Sequence, residues 1–212
     1  MRELTHSELA RHEAAHFVMH WATGHPAPHV DITPAIQREH QCTITMGLTF
    51  GCCTCPSPFE QILISLSGPI GEHWEHDNHW IIVNEKIAIS NFIQSSICNG
   101  ETPHSEDDGD WEDCLHMLAQ YGVDVTAQKQ LDNALLFFTE ATRSILKLCE
   151  DQWREATEYL ITHGRIGFNG KYPDQGEEAE RFFCRWGGDY GEPPDAVQSV
   201  ISSFRTSADE LK

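Results

Sequence analysis

The chain has 212 residues, of which 40% are hydrophobic, and its formal net charge is −19. This length suits one domain, or one domain with an appendage, and the hydrophobic fraction is large enough for a sizeable core. Nucleic-acid binding needs a basic surface and anionic lipid headgroups repel a chain of this charge, so we expect neither partner.

Two absences in the sequence bear on the expected location. The N-terminal residues lack the apolar stretch of a secretory signal, and no run of about 18 apolar residues occurs that could cross a membrane. Eight cysteines without a signal peptide are typical of reduced thiols. The sequence therefore predicts a cytoplasmic protein with no membrane segment.

The first element is predicted to be a helix with defined ends. Thr5 and Glu8 form a capping box, which starts a helix near His6. The helix should end at Thr23, because Gly24 can adopt the left-handed conformation that closes a helix.

A small sheet and a series of helices are predicted to follow. A second capping box, residues 57–60, has proline at the first helical position, and later segments repeat apolar residues at spacings of three and four. The predicted elements are strands at 29–34 and 42–50, helices at 58–74, 80–97, 110–121, 126–149 and 151–163, and an acidic loop at 99–109.

The composition changes near the C-terminal end. Residues 170–195 are rich in glycine, proline and charge, which predicts a loosely ordered segment, with a short helix near 195–204. We therefore divide the chain into a folded domain, residues 1–170, and a loosely ordered tail, residues 171–212. The predicted fold class is mainly α with a small N-terminal β-sheet (α+β).

The first helix carries an HExxH motif. His12 and His16 are four residues apart, so they lie one turn apart on one helix face and can bind one zinc ion. Glu13 points about 100° away from His12, so it is not a ligand in the same row but can reach a water on the metal. The pattern predicts zinc ligands at His12 and His16 and a catalytic base at Glu13.

A catalytic zinc site usually has three protein ligands and one open position. The pattern HExxHxxGxxH is absent, because Met19 and Ala22 occupy the positions of its glycine and third histidine. The third ligand must then come from farther along the chain, and the candidates are the acidic residues at 106–113.

Several segments in the same order resemble the zinc peptidase domain of the FtsH family of ATP-dependent metalloproteases. The likeness covers about residues 8–170. The matching pieces are HEAAH at 12–16 (HEAGH in the family), the strand at 30–34, MGLT at 46–49 (LGYT), LSGPIGE at 66–72 (LGGRAAE), DWEDC at 110–114 (DLEQA) and the helix end at 119–122.

The resemblance implies a zincin-like HExxH helix followed by a helical bundle. It also implies that an aspartate equivalent to Asp110 is the third zinc ligand, because an apolar residue and then glutamate follow it. Asp107 and Asp108 are alternatives, and counting back without gaps from residues 121–122 reaches Glu106 instead.

The implied function is that of a zinc-dependent endopeptidase acting on flexible or unfolded polypeptides. No G-x-x-x-x-G-K-[ST] loop is present, so we expect no nucleotide cofactor. Unfolding of substrates would then need a separate unfoldase, and the family's hexamers raise the alternative of a homo-oligomer. The competing hypothesis is a catalytically silent zinc-containing module that binds a peptide or partner.

The cysteines offer a second candidate metal site. Cys52, Cys53 and Cys55 form one tight cluster. A closed structural zinc site needs four ligands, which usually come from two CxxC-type segments. This cluster supplies only one such segment, so we interpret its cysteines as reduced thiols.

Overall fold

The computed structural model describes residues 4–27, 29–33, 48–50, 56–72, 74, 109–167, 177–187 and 191–209. These residues form a mainly helical protein with a small antiparallel sheet, which confirms the predicted fold class at this level. The elements are α1 (His6–Ala22), β1 (His29–Asp31), β2 (Leu48–Phe50), α2 (Pro58–Glu72), α3 (Gly109–Tyr121), α4 (Gln128–Leu148), α5 (Glu150–His163), β3 (Arg165–Ile166), α6 (Glu177–Gly187) and α7 (Asp195–Ala208).

Helix α1 begins at the predicted capping box. The Thr5 hydroxyl accepts the Glu8 N–H at 3.2 Å, and the Thr5 N–H donates to the Glu8 carboxylate at 2.8 Å. At the other end the helix stops at Ala22, and Gly24 has a φ of 82°. The two ends fix the position of α1, which is buried on nearly every side.

Helix α2 packs closely against α1 because glycines line the contact. A Cβ added at Gly71 would lie 2.9 Å from both the Ala15 Cβ and the Arg11 carbonyl oxygen. A side chain of any size at this position would therefore push the two helices apart. Trp153 of α5 supports the same contact, since its indole N–H donates to the Arg11 carbonyl at 3.0 Å.

The sheet has the strand order β2-β1-β3, and both pairings are antiparallel. Val30 in the central strand lies opposite Thr49 of β2 and Ile166 of β3. Among the described strands, β2 therefore has a neighbour on one side only. β1 and β2 fall within the predicted segments 29–34 and 42–50, whereas β3 was not predicted. The predicted helix 80–97, the loop to residue 108 and the cysteine cluster lie outside the described residues.

The C-terminal segment differs from the loosely ordered tail that the sequence predicts. It contains two helices, α6 and α7, and the second includes the short helix expected near 195–204. Phe182 and Phe183 of α6 are buried, with Phe17 of α1 as a ring partner of both. The glycine, proline and charge content of this segment does not indicate the contact, because the apolar partner of α6 lies more than 160 residues earlier in the chain.

Within the ranges given above, no helix combines the length and the apolar character needed to span a bilayer.

Candidate metal centre

The two histidines of the HExxH motif face each other on α1. Their Nε2 atoms are 3.0 Å apart, and the rings are inclined by 70° with centroids 4.7 Å apart. The side chain of His12 is 14% exposed and that of His16 is 8% exposed. Two imidazoles thus present their outer nitrogens to one nearly enclosed point.

Asp110 brings a carboxylate to this point from the second residue of α3. Its Oδ2 lies 3.0 Å from the His12 Nε2 and 3.1 Å from the His16 Nε2. The structure therefore brings together the three residues that the sequence suggests as ligands. Asp107 and Asp108 lie outside the described residues, so the choice of Asp110 over them stays a prediction.

The donor set fits a zinc ion. Zinc ligands at about 2.0–2.1 Å in a tetrahedral arrangement lie about 3.3 Å from one another, close to the observed separations. Among the described residues, this is the group of histidine, cysteine and acidic side chains that could hold a metal. Two imidazoles and one carboxylate would leave the fourth position open, as in catalytic sites.

Helix α2 orients both imidazoles from behind. The Nδ1–H of His12 donates to the Glu72 Oε1 at 2.5 Å, and the Nδ1–H of His16 donates to the Ile64 carbonyl at 2.9 Å. A proton held on Nδ1 leaves the lone pair of Nε2 for a metal, as outer partners of zinc-bound histidines commonly do. Both rings are therefore prepared for coordination by the same helix.

Gly68 leaves the space in front of the donor atoms open. A Cβ at this position would lie 2.3 Å from the His16 Nε2 and 2.5 Å from the His12 Nε2. Any side chain there would occupy the region that a shared metal needs. The sequence-based reasoning gave no role to Gly68 or Glu72, although Ile64, Gly68 and Glu72 are spaced by four, which places them on one face of α2.

Glu13 lies beside the donor atoms without joining them. Its side chain is buried, its Oε1 is 3.9 Å from the His12 Nε2, and its Oε2 accepts a hydrogen bond from the Thr49 hydroxyl at 2.6 Å. Burial raises the pKa of the Glu13 carboxyl above its ordinary value. A carboxylate of raised pKa is better suited to accept a proton near neutral pH.

The charges of the cluster favour an ionised aspartate. Burial acts to raise the pKa of Asp110, but His16 and His12 outweigh it and hold that pKa well below its usual range. At His12 burial acts to lower the pKa, but hydrogen bonds to Asp110 and Glu72 outweigh it and raise the pKa. Asp110 is therefore kept in the form that ligates metals.

Comparison with known proteins assigns no family to this arrangement. No protein-family model matches the chain, no curated protein matches its sequence, and no solved structure matches its fold.

Proposed function

We propose that the chain is a zinc-dependent endopeptidase of the HExxH type that cleaves flexible or unfolded polypeptides. The observation that carries this proposal is the triangle of two imidazole nitrogens and one carboxylate oxygen with a buried glutamate alongside it. His12, His16 and Asp110 would hold the metal. The order of motifs that resembles the FtsH family supports the same assignment.

The chemical roles in the proposed reaction are shared by the metal and the side chain of Glu13. A zinc ion held by His12, His16 and Asp110 would polarise a peptide carbonyl and activate a water molecule for attack. Glu13 accepts a proton from the attacking water at Oε1, which faces the donor atoms while Oε2 is held by Thr49. It then passes that proton to the leaving amine as the C–N bond breaks, so the water is divided between the two products.

The sheet offers a place for the substrate. β2 has β1 on one side, and no other described strand lies on its second side. An extended peptide can pair with such an edge through backbone hydrogen bonds, which do not depend on the side chains of the peptide. This mode suits unfolded chains and predicts weak sequence preference.

The test is Glu13→Gln, which keeps the shape of the side chain and removes the base. We expect the variant to retain one zinc per chain and to lose cleavage of casein by about 10²- to 10⁴-fold, because general-base assistance has that size. Zinc would be measured by elemental analysis and cleavage by release of fluorescent peptides, without nucleotide. Glu158→Gln, at an exposed position on α5, is the control and should cleave as wild type does.

Two outcomes would contradict this proposal in different ways. Wild-type protein with full zinc that cuts no flexible substrate would favour the catalytically silent binding module. Glu13→Gln that cleaves as fast as wild type would remove Glu13 from the reaction and point to a contaminating peptidase.

A further inference from the structure

Thr49 makes a contact with Glu13 that the HExxH motif does not anticipate. It is the middle residue of β2, and its hydroxyl donates to the Glu13 Oε2 at 2.6 Å. The same hydroxyl lies 3.4 Å from the Glu13 carbonyl oxygen, so it sits directly against α1 at this residue. A hydroxyl bonded to a carboxylate at this distance makes a strong, charge-assisted hydrogen bond.

This contact determines which way the Glu13 carboxylate faces. The carboxylate is planar, so a fixed Oε2 also fixes the direction of Oε1. That second oxygen is 3.9 Å from the His12 Nε2, on the side where the metal ligands converge. Without the Thr49 hydroxyl, the carboxylate could rotate about its last side-chain bond, which is a soft torsion.

We propose that Thr49 is the positioning residue of the catalytic base, an inference that rests on the proposed function. It holds one oxygen of Glu13 so that the other is available to a molecule bound at the metal. The described hydrogen bonds of the Thr49 hydroxyl go to Glu13. Its effect is transmitted through Glu13 alone.

The position of Thr49 also connects the base to the substrate-binding edge. Thr49 pairs with Val30 of β1, and its own strand is an edge strand whose second side lacks a described neighbour. A peptide bound on β2 would therefore lie along the strand that orients the base. Substrate binding uses the backbone of this strand, whereas orientation of the base uses one hydroxyl.

The two contributions can be separated by substitution. Thr49→Val keeps the branched shape and removes the hydroxyl, while Thr49→Ser keeps the hydroxyl. If substrate pairs with the β2 backbone, Thr49→Val should leave KM unchanged and lower kcat by roughly ten- to a hundredfold, the worth of one hydrogen bond to a charged group. Thr49→Ser should restore kcat, which a purely structural role of the methyl group would not allow.

A binding measurement tests Thr49 without relying on catalysis. Acetohydroxamate chelates a divalent metal through two oxygens and donates its hydroxyl proton to a carboxylate held beside that metal. Its affinity for cobalt-loaded protein can be followed by the visible absorption of the cobalt ion. We expect Thr49→Val and Glu13→Gln each to weaken acetohydroxamate by about tenfold or more at unchanged cobalt content.

The controls distinguish the hydroxyl of Thr49 from hydroxyls in general. Thr142→Val removes a buried hydroxyl that donates to the Phe138 carbonyl at 2.8 Å on α4, and it should bind acetohydroxamate as wild type does. Thr49→Ser should also behave as wild type. Wild-type affinity in Thr49→Val, or weakened affinity in Thr49→Ser equal to that of Thr49→Val, would overturn the proposal.

The same measurements separate this inference from the proposed function. If wild-type protein cleaves no peptide while Thr49→Val and Glu13→Gln both weaken acetohydroxamate, the endopeptidase proposal fails and the positioning role of Thr49 stands. If Glu13→Gln binds acetohydroxamate as tightly as wild type, Glu13 does not reach the metal-bound molecule, and the role of Thr49 falls with it.

Discussion

Helix α1 contributes to two regions that are held together in different ways. The metal region consists of His12, His16 and Asp110 with the α2 residues that orient them. The aromatic region consists of Phe17 and Trp21 of α1 packed against α6. In the metal region the contacts are close approaches between polar atoms 2.5–3.1 Å apart. In the aromatic region they are rings whose centroids lie 4.8–6.0 Å apart.

The two regions differ in how strongly their contacts depend on the relative direction of the interacting groups. A metal ligand or a hydrogen-bond donor acts only from a narrow range of positions, whereas apolar burial is nearly independent of direction. The metal region should therefore fail when one atom is lost or one extra carbon is added. The aromatic region should fail in proportion to the volume removed, and the zinc donors should be unaffected by that loss.

The largest expected effect is the loss of zinc from the metal region. We expect about one zinc per chain in wild type and none in His12→Ala/His16→Ala, because two of the three proposed ligands are gone. Asp110→Ala tests the third ligand separately and should also strip the metal. Elemental analysis after gel filtration measures both.

Asp113→Ala is the control for the aspartate, because Asp113 is an exposed acidic residue on the same helix. It should retain full zinc. Stoichiometric zinc in the double histidine variant would contradict the assignment of His12 and His16 as zinc ligands. Zinc lost from Asp107→Ala or Asp108→Ala but not from Asp110→Ala would assign the third ligand to the earlier aspartate.

The next largest effect should come from the aromatic region. Phe182 is buried, and its ring lies 5.0 Å from that of Tyr159 and 5.4 Å from that of Trp186 between centroids. Phe182→Ala should lower the free energy of unfolding by about 3–5 kcal/mol, the usual cost of emptying an aromatic core position. Urea unfolding measures this loss, and zinc stoichiometry in the folded protein should stay at one.

Leu148→Ala serves as the matched apolar control, because Leu148 is 48% exposed at the end of α4. Its effect on the free energy of unfolding should stay within about 0.5 kcal/mol. A loss of zinc from folded Phe182→Ala would break the comparison, since the aromatic region would then control the donor geometry.

The same contrast explains what the sequence could predict. The helix ends of α1 follow from Thr5, Glu8 and Gly24, and the facing of His12 and His16 follows from their spacing of four. These features depend on residues close together in the chain, where helix geometry alone sets the arrangement. The existence and approximate bounds of α2 to α5 follow from capping and periodicity in the same way.

Features that depend on residues far apart in the chain were harder to predict from the sequence. Helix α6 was missed because its aromatic partner Phe17 lies in α1. The roles of Glu72, Gly68 and Thr49 depend on how α2 and β2 pack against α1, which no local pattern specifies. Asp110 was reached through a resemblance in the order of motifs rather than through spacing.

The last prediction concerns the smallest change to the metal region, the addition of a single carbon atom at Gly68. Gly68→Ala would place a Cβ within 2.5 Å of the Nε2 atoms of both His12 and His16. We expect zinc affinity to fall on the order of a hundredfold, the upper end of what substitutions around metal ligands cost. Competition with a chromophoric chelator measures the affinity. The added methyl favours the helix by at most about 1 kcal/mol, so the metal-free protein should remain folded.

Gly71→Ala, three residues later on the same helix, separates this steric effect from a general loss of packing. Its Cβ would meet the Ala15 side chain and the Arg11 carbonyl instead of the donor atoms. We expect it to lower the free energy of unfolding of the metal-free protein by about 1–3 kcal/mol, the usual cost of overpacking, and to weaken zinc less than Gly68→Ala does. Gly68→Ala with wild-type zinc affinity would show that the metal does not use the space in front of Gly68. An equal loss of zinc in both variants would instead assign the effect to the separation of α1 and α2, and directional contacts would then be no more sensitive than packing.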